Sequence, residues 1–362
     1  MSAEISSGDG MATARHVALG RAGLPACALL AVLAFIVSLS VGPVVIPFQR
    51  VLEVLWHGLS GPTVVRATRE AIIVLDVRLP RSVLGFLVGG AIASAGAVMQ
   101  GIFRNPLADP ALVGISNGAA LAAVMWIVLG ASAAAYLPHV VNTFGLPIMA
   151  FLGALLATGL LHAIATHKGR TSVATMLFAG IAVSALAGAG TGVMVFMSSD
   201  QQLRDFTFWT FGSLGGATWA KVVAATPFVL FLMAACWPLA RALDALALGE
   251  AEAFHVGIDV ERTKRLAIAA VAAGAGAAVA VAGVVGFVGL VVPHLLRLMI
   301  GSGHRKLLPA SMLLGGALLL LADVAARTLA SPAELPLGVV TAALGAPFFI
   351  GLLLRRRAAL FG

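Results

Sequence analysis

Eight histidines and two cysteines are the side chains of this sequence that could hold a metal ion or ligate haem iron, and their spacing does not support either use. No H-E-x-x-H pair and no Cys/His cluster occurs, and Cys27 and Cys236 stand singly in apolar runs, so neither a zinc site nor a disulfide framework can be read from them. His16, His57, His139, His167, His255 and His304 fall in tails or loops, where a solvated imidazole is the ordinary outcome. His162 and His294 fall inside apolar spans; each is a candidate ligand, although a buried imidazole bonded to a neighbouring helix is the commoner use. No metal site is assigned. There is no G-x-x-x-x-G-K-[ST] loop, so the usual cradle of backbone N–H groups and lysine for ATP is missing. No Ser–His–Asp set is readable, which leaves an intramembrane hydrolase as a poor rival and no catalytic residue to name. No predicted span carries a carboxylate or a basic group near its middle, where an ion-coupled secondary transporter usually keeps its coupling groups. Work must then come from another polypeptide.

The elements that would position any site are membrane helices. Of the residues 60% are hydrophobic and 10% charged, with mean hydropathy +1.03, against about 25% charged in soluble domains. Apolar runs reach the roughly 20 residues needed to span a bilayer core. Gly/Pro punctuation and charged loops predict ten helices near 24–43, 82–102, 111–130, 146–166, 172–197, 219–239, 264–283, 285–300, 308–329 and 337–354. The first is too long and too far from the start for a signal peptide and reads as a retained helix. The expected organisation is all-α and polytopic: an N-terminal tail over 1–23, one permease domain over 24–357 with a cytoplasmic segment at 241–265, and a tail over 358–362. With both termini cytoplasmic, the inner side collects most of the 23 lysines and arginines, among them Arg104, Lys168, Arg170, Arg241, Arg355, Arg356 and Arg357, as the positive-inside rule asks. The net charge of +8 then reflects orientation, and no nucleic acid partner is implied. The segment 44–81 strains this topology, because it puts Arg50, Arg66, Arg69, Arg78 and Arg81 outside. Glycine crowds the spans at Gly85, Gly89, Gly90, Gly96, Gly274, Gly276 and Gly289, which suits close helix packing in lipid.

Six stretches carry more detail than composition. Arg78-Leu79-Pro80-Arg81 is followed by Gln100-Gly101-Ile102-Phe103-Arg104-Asn105-Pro106-Leu107-Ala108-Asp109-Pro110 and Gly114-Ile115-Ser116-Asn117-Gly118. The C-terminal half holds Gly286-Phe287-Val288-Gly289-Leu290-Val291-Val292-Pro293-His294, then Ala322-Asp323-Val324-Ala325-Ala326-Arg327, then Glu334-Leu335-Pro336-Leu337-Gly338. Residues preceding Pro106 and Pro110 are pushed out of helical geometry, so the chain turns there, with Asn105 and Asp109 placed to cap helix ends. From about residue 25 to the end, the sequence resembles the permease family that imports vitamin B12, ferric siderophores and haem.

That resemblance implies a type II ABC importer permease. It further implies a homodimer in the bacterial inner membrane, surrounded by lipid, with two ATPase subunits below and a periplasmic haem-binding protein above. By the same resemblance, Arg78, Arg81 and Arg327 present guanidinium groups to acidic residues of the binding protein, a pairing for which arginine's planar fork is suited. The segment 241–265 becomes the coupling element on the ATPase, with Gly249, Glu250, Ala253 and Gly257 as contact positions. Met176, Met194 and Met197 on the fifth helix, with Phe208 and Trp209 in the stretch after it, become the translocation pathway wall. The run 203–216 looks most like haem permeases, so haem is the expected cargo, with no cofactor bound permanently; ferric siderophore or cobalamin is the alternative. The Pro293-His294 motif is shared by carriers of all three and does not select among them. An ion-coupled carrier and a structural or receptor-like membrane protein are the readings from other classes.

Overall fold

A run of about 20 apolar residues in lipid can satisfy its backbone N–H and C=O groups only within itself, so each such run closes into a helix. The computed structural model of the protein describes residues 5–60, 68–133 and 138–361. Its helices are α1 (Ile5–Ser40), α2 (Phe48–Ser60), α3 (Arg69–Ile102), α4 (Ile115–Ala133), α5 (His139–Ala165), α6 (Val173–Phe196), α7 (Asp200–Phe211), α8 (Trp219–Leu246), α9 (Glu250–His255), α10 (Val260–Ala282), α11 (Val288–Ile300), α12 (His304–Leu329) and α13 (Leu337–Phe361). Among the described residues seven of these are long and apolar enough to cross a membrane, and α4, α11 and α13 supply shorter apolar stretches. Each of the ten predicted spans has its helix. A small antiparallel hairpin, β1 (Thr166–His167) with β2 (Arg170–Thr171), joins α5 to α6. Its turn residues Lys168 and Gly169 both have positive φ, as a two-residue hairpin requires.

Several boundaries differ from expectation. The α1 helix runs back to Ile5, through most of the predicted N-terminal tail, and α13 runs on to Phe361; residues 1–4 and 362 lie outside the described residues. The larger correction is at α3, which begins at Arg69 rather than 82. Pro80 has no N–H to return to the carbonyl four residues earlier, and its ring crowds that carbonyl. The backbone widens ahead of it into a π-helical turn over Ile72–Arg78, closed by the Leu79 N–H on the Val74 carbonyl. Much of the segment expected as an outer loop is therefore helical, and it carries Arg78 and Arg81 into the bundle.

The α3 helix is the axis of the fold. Within its apolar window 83% of residues are buried, against 28% for α6. It packs on α8, α10, α11 and α12. Glycine makes the approach possible: a Cβ on Gly89 would lie 2.3 Å from the Gly315 carbonyl oxygen, and one on Gly96 would lie 1.9 Å from that of Gly289. Close packing is thus the use of these two positions, since helices in lipid gain their association from dispersion contacts at short range. The turn after α3 behaves as its prolines require. Asn105 Oδ1 accepts from the Leu107 N–H and Asp109 Oδ1 from the Ala111 N–H, both at 2.9 Å.

Candidate functional site

Two polar clusters sit at opposite ends of the bundle. The first forms where α1 ends. The last four carbonyls of a helix have no partner within it, and in α1 all four find donors. Val37 accepts from the Val41 N–H at 2.9 Å. Arg327 on α12 donates to the Ser38 carbonyl at 2.6 Å. Arg78 on α3 donates to those of Leu39 at 2.7 Å and Ser40 at 2.8 Å, and also to that of Val44. Two cations at a helix C-terminus complement its dipole. Arg81 turns the other way. Its Nε and Nη2 bind Asp323 on α12, with Nη2 to Oδ1 at 2.9 Å, while Nη1 and Nη2 bind both oxygens of Glu334 at 2.9 Å each. Ser38 and Ser82 bridge α1 to α3 by a 2.8 Å hydroxyl contact.

Within this chain Arg78, Arg81 and Arg327, the residues expected to dock a binding protein, already have partners. All three are buried and donate to groups of their own chain, so in this conformation they fasten α1, α3, α12 and the loop before α13. The expectation that ionisable groups stay at span ends is also modified, because Arg81 and Asp323 lie within α3 and α12. Glu334 is the one acceptor of Arg81 near the surface, with 39% of its side chain exposed. It belongs to the loop outside the spans, and hydrogen bonds from Arg81 hold its carboxyl below the usual glutamate range.

The second cluster organises the segment after α8. The α9 helix is bracketed by Gly249 at φ +137° and Gly257 at φ +83°, conformations that side chains resist. Lys264, buried near the start of α10, reaches back to it. Its Nζ lies 2.8 Å from Glu250 Oε1, donates to the Thr171 carbonyl at 2.7 Å, and lies 3.4 Å from Glu261 Oε1. Glu261 accepts from the Thr171 N–H at 2.9 Å. One ammonium group, with its three donors used, ties α9, α10 and the β1–β2 hairpin together. Beside it opens a cleft of about 940 Å³ that includes Arg170, Phe254, His255 and Ile258 in its wall.

The contact positions expected here divide. Ala253 is fully buried against the core and faces away from any partner. Glu250 is committed to Lys264 and positions α9, while Gly249 and Gly257 shape its two turns. The groups that do project are Leu248, Phe254 and Val256, all exposed and apolar on an otherwise polar surface. Sequence reasoning passed over them, although three large apolar residues in a segment too polar to enter the bilayer were a readable signal. Lys264 was legible as the head of a span, with Glu261 at i−3, but its partner Thr171 lies 93 residues away.

Of the expected pathway residues, Met194 and Trp209 share one cluster, while Met176, Met197 and Phe208 lie apart from it. Met176 is wholly buried in the core, which removes it from any wall of a passage outside this chain. Met194 and Trp209 pack with Ala120, Val124 and Phe206 where α7 leans on α4, and Trp209 stacks on Phe206 with ring centroids 6.5 Å apart. Met197 and Phe208 are exposed. Of the histidines, His304 is no loop residue: it opens α12, is buried, and its Nδ1 lies 2.6 Å from Asp244 Oδ1. His294 packs edge-on against Phe348 at 6.3 Å, and His162 Nδ1 lies 3.4 Å from Thr166 Oγ1. Among the described residues no three of His, Cys, Asp or Glu gather as metal ligands.

A bundle of ten apolar helices, one of them a buried axial helix, with a fastened amphipathic segment at one end, defines a multi-span membrane permease. The chain belongs to the FecCD transport family, which it matches over residues 29–355. It is 44% identical over 283 residues to the hemin transport system permease protein HmuU of Yersinia pestis, covering 78% of this chain and 83% of that one. It is 47% identical over 282 residues to the cobalamin import system permease protein BtuC of Halobacterium salinarum, covering 78% and 73%. A solved metal-chelate type ABC transporter in an inward-facing conformation is similar over 92% of this chain and 98% of its own, at 28% identity and a TM-score of 0.79. The chain is accordingly a permease subunit of a type II ABC importer, a transport component rather than a catalyst.

Proposed function

We propose that this permease imports haem, working as a homodimer with both termini in the cytoplasm, two separate ATPase subunits on the α9 side and a periplasmic binding protein on the side of Arg81 and Glu334. The observation that carries the mechanical part is the buried Lys264 clamp. A short helix presenting Leu248, Phe254 and Val256 is held through Glu250 to the first turn of α10, and α10 packs on the axial helix α3. A push on α9 is thereby delivered to the core rather than lost in a loose loop. The binding protein's carboxylates meet Arg81 by displacing Glu334, the exposed member of its pair, so that Arg78 and Arg327 keep their structural bonds.

Haem as cargo is supported by the Yersinia relative. The Halobacterium relative, a little more identical over a smaller share of its own length, supports cobalamin as the second reading. Uptake into proteoliposomes holding the permease with its ATPase and binding protein, with haem, a ferric siderophore and cobalamin in competition, separates them. Haem uptake that cobalamin fails to reduce is expected; preferential cobalamin uptake would replace the reading. ATP-independent uptake driven by an ion gradient would remove the importer mechanism as a whole.

A further inference from the structure

At the end of the bundle that carries α9, a groove of about 650 Å³ lies between α1, α8 and α12, apart from both clusters described above. Its long walls are two helical stripes. Met233, Trp237 and Arg241 recur at four-residue spacing on α8 and so share a face. Arg305 and Met312, seven residues apart, do the same on α12. Both stripes run in one sense: the arginines stand together at the helix ends and the methionines lie deeper. From Arg241 to Met233 the α-helical rise gives about 12 Å of apolar trench beneath a cationic rim.

Arg241 and Arg305 are exposed, and neither has a carboxylate partner among the described residues. The nearby Asp244 is directed to His304 instead, its Oδ1 accepting from the His304 backbone N–H at 3.0 Å and lying 2.6 Å from the same residue's Nδ1. Two unspent guanidinium groups at the mouth of an apolar trench, on a bundle immersed in lipid, match one molecule in charge and in length. That molecule is a phospholipid with its phosphate at the rim and the upper part of an acyl chain below. A zwitterionic headgroup brings its own cation to the arginines; an anionic one does not. We propose that this groove binds an anionic phospholipid, with the phosphate on Arg241 and Arg305 and the acyl chain along Trp237, Met233 and Met312.

Trp237, 81% exposed, is the reporter. The full chain is placed in phosphatidylcholine bilayers, and its fluorescence quenching by dibrominated phosphatidylglycerol is compared with quenching by dibrominated phosphatidylcholine. Subtracting the Trp237→Phe protein isolates this residue from the other four tryptophans. Half-quenching is expected at a several-fold lower mole fraction of the anionic lipid. That preference should fall by about fivefold for each arginine removed in Arg241→Gln and Arg305→Gln, the effect of about 1 kcal/mol per basic residue at an anionic surface. Unchanged quenching by brominated phosphatidylcholine in the variants shows that the groove is intact. Equal quenching by both lipids in the parent protein, or a preference that survives the double variant, overturns the proposal. So does relief of quenching by inorganic phosphate, which would assign the arginines to a free anion. Absence of quenching by either lipid also overturns it, because a protein surface then fills the groove.

Discussion

Arg81 holds two carboxylates of different standing, and that difference can be measured. Asp323 is buried and fixed, whereas Glu334 reaches water, so Glu334 is the partner a competitor can displace. Its folded carboxyl is held below the ordinary glutamate value by Arg81. Stabilisation from this pair is therefore complete above the ordinary value and lost as pH falls through the lowered folded one. Glu334→Gln should cost less than about 1 kcal/mol of stability for a partly exposed pair, read as a slightly lower thermal midpoint at neutral pH. The two melting curves should converge in acid; a gap that stays constant with pH would exclude the pairing. The same variant should bind the binding protein more tightly, read by titration at low salt, because its internal competitor is weakened. Lys264 is the counterpart at the other end. Lys264→Ala should cost about 2 kcal/mol, below the 3–5 typical of fully buried pairs because Glu250 and Glu261 can turn to water. It should leave ATP hydrolysis by the assembled transporter running with little uptake. Normal uptake per ATP would show that α9 needs no clamp.

Among the elements, the sequence marks helices far better than it marks what their ends do. All ten spans were legible because lipid forces each apolar run to satisfy its own backbone, so hydropathy and helix coincide. The start of α3 was not. Arg69, Glu70, Asp76, Arg78 and Arg81 read as a charged loop; the carbonyls of α1 hold Arg78 inside the helix, and the carboxylates of α12 and its following loop hold Arg81. Those partners lie up to 253 residues away in the chain. The reading of α9 failed differently. Gly249 and Gly257 were expected as contact positions, and the structure uses them as the turns that bracket the helix; a six-residue helix has too few positions for periodicity to say which face is buried, and Ala253 was assigned outward. Correcting the face changes the test. Phe254→Asp, on the exposed face, should uncouple ATP hydrolysis from uptake without altering the melting temperature. Ala253→Asp, buried in the core, should lower expression and stability first. A Phe254→Asp protein that transports normally would dismiss the exposed apolar residues as the partner surface. The axial packing has its own measurement: Gly96→Ala drives a Cβ to 1.9 Å from the Gly289 carbonyl, a backbone group that cannot swing aside. Overpacking of this kind costs about 1–3 kcal/mol, read as a lower melting midpoint in detergent.

For the whole molecule, the arginines of the two ends do different work. At the end of α1 they are consumed by the fold: Arg78 and Arg327 neutralise helix carbonyls and Arg81 is matched by two carboxylates, so this end carries far less free positive charge than a count of residues suggests. At the α9 end Arg241, Arg262 and Arg305 stay exposed. Two of the five arginines in the segment 44–81, Arg78 and Arg81, thus have a structural use on the side expected to be external. With the α9 end cytoplasmic, as proposed, the loop holding Glu334 is external. In protein whose buried Cys27 and Cys236 are replaced by alanine, a cysteine at Ala333 should react with a membrane-impermeant maleimide added to intact cells. A cysteine at Val256, also exposed but at the other end, should react only after the membrane is opened. The reverse pattern would invert the chain in the bilayer and put the Lys264 clamp out of reach of any ATPase. Labelling of both sites in intact cells would mean that the two clusters do not lie on opposite faces of one membrane domain.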